Sequence, residues 1–291
     1  MTTLTVGGGS GSVAVYGNGT VVAGNGNYSI AITGDGSISA GSGNSDLIIY
    51  GAAGTVSAGS GNDTIDLSSA SGQVSVGSGN DSISLGSGNI YVGGGNDTIN
   101  LIGGGTVTET GATGNDSITL GFGDDTVFTA GNATVAGEFG SATMLGGSLE
   151  VINNGYTTHD LIANSGAATL VGGEYLNQFI GGSGTTLMLG GGGPDTFIGG
   201  SGSDTMTGGS STNVFEFLST ESGGQHVITN FVSGTDTLYL EGESLSYLQS
   251  NNDITVSGGN TYISLDGGKT SIELKGVTSL TSSDVTTHKP S

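Results

Sequence analysis

"GSGNDTIDLSSASGQVSVGSGNDSISLGSG", residues 59 to 88, says nearly the same thing twice. Gly59-Ser60-Gly61-Asn62-Asp63 returns as Gly77-Ser78-Gly79-Asn80-Asp81, eighteen residues later. Working outward, "ISAGSGNSDLI" (38–48), "VSAGSGNDTI" (56–65), "VSVGSGNDSI" (74–83) and "IYVGGGNDTI" (90–99) align on Gly41, Gly59, Gly77 and Gly93, spaced by 18, 18 and 16. Between them lie half-repeats, "GNGTVVA" (17–23), "GDGSISA" (34–40) and "GSGNIYV" (86–92), with a Gly-rich turn and a β-branched run but no Asp after the turn. The unit is therefore about nine residues, two to each period.

Each nine-mer reads as turn, then strand. Glycine admits the positive φ and close backbone approach of a tight turn. The "DTI" or "DSI" that follows alternates out and in, with one branched residue pointing inward. Two strands complete a coil, and stacked coils lie about 4.7–4.9 Å apart. The pattern predicts an all-β fold, a parallel β-roll. Its facing core columns are Val56, Val74, Ile90 and Ile65, Ile83, Ile99.

A second block keeps a nine-residue beat without gaps: "GGEYLNQFI" (172–180), "GGSGTTLML" (181–189), "GGGGPDTFI" (190–198), "GGSGSDTMT" (199–207) and "GGSSTNVFE" (208–216). The register slips around 129–150. The expected organisation is a β-roll over 1–135, a second block over 136–217 and a C-terminal antiparallel β cap over 218–291.

Composition agrees. Gly accounts for 61 of 291 residues, Cys and Trp are absent, and only two prolines occur. Without sustained G-X-Y triplets this is not collagen, and the phased Val and Ile distinguish it from plain disorder. Asp plus Glu total 25 against three Lys, a formal charge of −22. That balance excludes nucleic-acid binding, which needs clustered basic residues. No window is apolar enough for a membrane span, and "MTTLTVGGGSGSV" lacks the basic and apolar regions of a secretory signal peptide.

"GGSGSDTMT" and "GGGGPDTFI" resemble the hemolysin-type, repeats-in-toxin (RTX) nonapeptide G-G-x-G-x-D-x-U-x, a calcium-binding β-helix repeat. "AGSGNDTID" (58–66) and "VGSGNDSIS" (76–84) match it except at the first glycine. The resemblance implies Ca²⁺ between successive turns, held by turn carbonyls and the Asp carboxylate, because Ca²⁺ takes six to eight hard oxygens. Carried onto this chain, the expected ligands are Asp46, Asp63, Asp81, Asp97 and Asp116 along one edge, with Gly59, Gly61, Gly77, Gly79, Gly93 and Gly95 in their turns. Asp125 falls on the other edge, and Asp195 and Asp204 belong to the second block, where Asn177 and Asn213 share the edge of Asp195.

"NVFEFLSTESGGQHVITNFVSGTDTLYLEG" (213–242) is similar to the segment that follows RTX repeats in secreted bacterial proteins, although Asn230 stands where that group has Asp. "ISLDGGKTSIELKGVTSLTSSDV" (263–285) resembles the closing hairpin of the same group. The likeness implies a capped roll and export by the type I secretion machinery to the cell surface or beyond. His159, His226 and His288 form no zinc pattern and read as incidental surface or edge residues; no nucleophile elbow or phosphate loop is present. The expected function is thus non-enzymatic: a secreted calcium-binding structural protein that self-associates through an edge strand near Thr2–Val6. The alternative is a noncatalytic module binding a cell-surface polysaccharide or another surface protein.

Overall fold

The computed structural model describes residues 2–111, 113–137, 141–144, 149–153, 159–163 and 165–289; of 141–144, 149–153 and 159 only the backbone is described. The chain is a parallel β-solenoid with two strands to a coil, the β-roll expected from the repeats. It divides into two compact units, Met1–Gly140 and Ser141–Ser291. The second unit takes in the 218–291 cap and all but the first five residues of the 136–217 block.

In the first unit, Tyr28–Ile32, Asp46–Ile49, Thr64–Ser75, Ser82–Val92, Thr98–Leu101 and Asn115–Leu120 stack in parallel as one sheet. Gly19–Ala23, Gly36–Ser39, Ala53–Ser57, Gly105–Glu109 and Asp125–Thr129 build the other, joined by the second halves of Thr64–Ser75 and Ser82–Val92. The core lies between them as columns. Ile30, Leu47, Ile65, Ile83, Ile99 and Ile118 face Val21, Ile38, Val56, Val74, Ile90 and Val107, and all are buried. Each such side chain stabilises by about 1.5–3 kcal/mol on leaving water, so a narrow core suffices because it is continuous.

The second unit repeats the scheme with larger side chains. Phe179, Phe197 and Phe215 stack at 4.8 and 4.9 Å between ring centroids, 6° and 15° from parallel. They oppose Leu170, Met188 and Met206. The cap closes both columns: Thr270–Leu274 stacks on Gln225–Ile228 and Val285–Thr286 on Thr237–Leu240. Ile254–Ser257, Asn260–Leu265 and Thr270–Leu274 form the antiparallel meander. A short helix, Leu245–Asn251, precedes it, capped by the Ser244 hydroxyl accepting from the Tyr247 N–H.

Candidate functional site

The site grows from the turn preceding each strand of the first sheet. There the Asp side chain folds inward, and its Oδ1 accepts a backbone N–H from the coil before. Asp63 takes the N–H of Ser45, Asp81 that of Asp63, Asp97 that of Asp81 and Asp116 that of Asp97, each at 2.8 Å. The offsets are 18, 18, 16 and 19 residues, so insertions between coils are absorbed without breaking the line. Asp63 and Asp97 are only 1% exposed. The second oxygens of Asp63, Asp81 and Asp97 are buried with no hydrogen-bond partner. Burial pushes the Asp81 carboxyl up to about 6 and the Asp116 carboxyl up to about 7, with repulsion from neighbouring carboxylates adding to both. Burial likewise raises Asp63 and Asp97.

The turn glycines let the coils stack this closely. The Gly59 carbonyl accepts the N–H of Gly77, and the Gly93 carbonyl that of Gly111. Gly61, Gly79 and Gly95 have φ of +142°, +154° and +142°. At Gly95 a Cβ would collide with the Gly79 carbonyl of the preceding coil. A carbonyl oxygen has two lone pairs, so those of Gly59 and Gly93 keep one after the backbone bond is made.

Asp46 departs from expectation. It is exposed and pairs with Thr64, one residue out of register, so that Ser45 occupies the ladder position. The extra Ser in "GSGNSDL" shifts the carboxylate outward. One coil earlier the position belongs to Tyr28, whose hydroxyl bonds the Gly7 carbonyl; one coil after Asp116 it belongs to Ala133. The line of carboxylates therefore runs from Asp63 to Asp116 and stops at both ends.

The opposite edge is sided as the half-repeats predict. Gly36, Gly54, Gly72, Gly88 and Gly105 share one column there, and only then does Asp125 appear. Asp125 accepts the Gly105 N–H at 2.8 Å and has its second oxygen buried and unpartnered; burial raises its carboxyl to about 6.

In the second unit the equivalent line alternates. Asn177 donates its N–H and its Nδ2 to Asp195, Asp195 donates its N–H to Asn213, and Asn213 donates both groups to Asp236. Asp236 was not expected here; it sits 23 residues beyond Asn213, and "DTLYL" repeating the "DTF" of 195–197 is the signal that could have found it. Burial raises Asp195 to about 7. On the other edge Asp204 accepts the Thr186 N–H at 3.0 Å, as its spacing suggests.

His226 is a correction. Far from being a surface residue, it is 1% exposed, and its Nδ1 lies 3.2 Å from Asp204 Oδ2. It occupies the coil position after Asp204, so the pairing follows from register. Asp204 thus already faces a base. His288 bonds Thr286 near the end of the chain, and the His159 side chain lies outside the described residues. Asn230 uses its amide at both ends, accepting from the Gly208 N–H and donating to the Gly209 carbonyl.

A second ladder runs beside the first. Asn44, Asn62, Asn80 and Asn96 each offer Oδ1 to the N–H of the next asparagine in line, ending at Asn115. Aspartates accept from the preceding coil and asparagines from the following one, so each coil is latched in both directions. Its signal was the Asn before every Asp in "GND".

Among the described residues, no three acidic or histidine side chains are already closed around one point as a cation cage. The donor types nevertheless suit a hard divalent cation: buried carboxylate oxygens without partners, each following a turn whose carbonyls keep a spare lone pair. No protein-family model matches the chain, and no curated protein matches it.

Proposed function

We propose that this is a calcium-binding structural protein of RTX type, exported by a bacterial type I machinery and serving at the cell surface or in the extracellular matrix. One observation carries the reading: the line Asp63, Asp81, Asp97 with an orphaned buried oxygen on every coil. Like charges one coil apart, about 4.8 Å, repel by about 0.9 kcal/mol at the dielectric of water and about 3.5 kcal/mol near a protein surface. Ca²⁺ held by Asp63, Asp81, Asp97 and Asp116, with turn carbonyls such as Gly59 and Gly93, would turn that repulsion into cross-linking. The chain's own part is to hold one oxygen of each carboxylate against the backbone and leave the other free. Folding is then coupled to the metal. Circular dichroism in EDTA and in millimolar Ca²⁺ tests this: strand signal should rise with Ca²⁺, and an unchanged spectrum would remove the reading.

Self-association belongs to the same proposal. Thr2–Val6 pairs on one side only, with Gly19–Ala23, among the described residues. Light scattering that stays monomeric across a Ca²⁺ titration would exclude it.

A second reading, a noncatalytic polysaccharide-binding module, is favoured by Tyr16 and Tyr50. They are 86% and 60% exposed on the edge opposite the Asp63–Asp116 line, two coils apart. Exposed aromatic faces of this kind can stack on sugar rings. A neutral-glycan array would give hits under this reading and none for a pure scaffold.

A further inference from the structure

The inward position ending each strand of the second sheet is apolar in coil after coil. Ala40, Ala58, Val76 and Val92 fill it, all buried. The next coil puts Glu109 there, paired in register with Val92, and the coil after puts Thr129, which follows Phe128, the partner of Thr108. Both are buried as deeply as the residues they replace, Glu109 at 5% exposed and Thr129 at 1%.

Glu109 is aimed at the end of the aspartate line. Its carboxyl lies within electrostatic reach of Asp116 and Asp97, whose charges oppose its own. Its Oε2 accepts the Ala130 N–H at 3.2 Å. Its Oε1 has no partner, and neither does Asp97 Oδ2 or Thr129 Oγ1. Orphaned oxygens thus collect in one neighbourhood, where burying a charge without a counter-charge is costly. No basic side chain answers them; the chain's three lysines all lie beyond residue 268.

We infer that Glu109 supplies an additional carboxylate to the Asp97–Asp116 interval and makes it a distinct, tightest divalent-cation site, filled first and completed by the Thr129 hydroxyl. This rests on the calcium-binding reading above but assigns a residue outside the nonapeptide positions. The other intervals, Asp63–Asp81 and Asp81–Asp97, have only apolar neighbours at the equivalent place and take up the ion more weakly, since Ca²⁺ affinity follows the charge count of the ligands.

The test is calorimetric titration of the full chain with Ca²⁺ alone, for the wild type, Glu109→Gln, Glu109→Val and Asp46→Asn. Valine is what the column already carries, and glutamine keeps an oxygen for the Ala130 N–H, so both variants should fold. The expected result is a tight step in the wild type that weakens by about tenfold or more in both Glu109 variants and persists in Asp46→Asn, whose side chain is exposed and off the line. If the Glu109 variants keep the tightest step, Glu109 and Asp116 merely share a proton and the inference is overturned. If the wild type binds in equal steps, this inference alone falls. If it binds no Ca²⁺ at all, the proposed function falls with it.

Discussion

The two carboxylate lines solve the same geometric problem with different chemistry. In the first unit, Asp63, Asp81, Asp97 and Asp116 follow one another without interruption. In the second, amide and carboxylate alternate: Asn177, Asp195, Asn213, Asp236. An amide in every other rung still accepts the neighbouring N–H, and its Nδ2 donates to the carboxylate beside it. The alternating line sets its carboxylates two coils apart and gives one oxygen of each an amide donor, although Asp195 Oδ2 is also buried without a partner. The uninterrupted line puts like charges on successive coils, which an ion or a proton would relieve. Ion dependence should therefore be a property of the first unit more than the second.

Amide hydrogen exchange offers the sharpest break of that comparison. In EDTA the strands Thr64–Ser75, Ser82–Val92 and Thr98–Leu101 should exchange far faster than in Ca²⁺. Thr185–Leu189, Ser203–Thr207 and Val214–Phe217 should change little. Equal protection changes in both sets would remove the distinction.

Acid should replace the metal in part. The folded pKa values of Asp81 and Asp125, about 6, and of Asp116, about 7, lie above the unfolded value of 3.8. The folded state then binds more protons, so stability is full below about pH 4 and declines as pH rises through about 6–7. In the second unit Asp195, raised to about 7, gives the same sign from a single rung. Thermal melts in EDTA between pH 4 and 8 should show a steeper fall for the first unit, and added Ca²⁺ should restore the loss at the upper end.

Single substitutions should exchange the two characters on a smaller scale. Asp81→Asn keeps an acceptor for the Asp63 N–H and deletes repulsion on both sides. It should stabilise the ion-free protein by about 1 kcal/mol or more and weaken Ca²⁺ binding. Asn213→Asp does the reverse, lining up three carboxylates and leaving the Ser211 carbonyl without its amide donor. A cost of about 1–3 kcal/mol is expected. Chemical denaturation with and without Ca²⁺ measures both.

How much of this was legible in the residues depends on what kind of signal each feature leaves. The roll is legible because strand alternation and turn glycines recur in phase; Val56, Val74 and Ile90 needed nothing more to fall into one column. Sidedness is legible too, since the half-repeats carry Gly where the other edge carries Asp. Register within a coil is not: one extra Ser moved Asp46 from the interior to solvent, and motif matching cannot feel a one-residue pleat reversal. Glu109 and His226 were missed because their meaning is a contact between coils, set by which residue lands opposite which. The asparagine ladder was in plain view in "GND", but its opposite direction of hydrogen bonding exists only once the coils are stacked.

Those opposed latches have a mechanical consequence. The bonds joining one coil to the next run along the axis of a roll, so tension applied to its ends would load one coil at a time and peel the stack. Each coil of 18 residues would pay out about 60 Å of extended chain. A roll built this way would act as a serial tether, yielding one coil length at a time. Wherever two aspartates are bridged, the ion would raise the force at which that one link lets go.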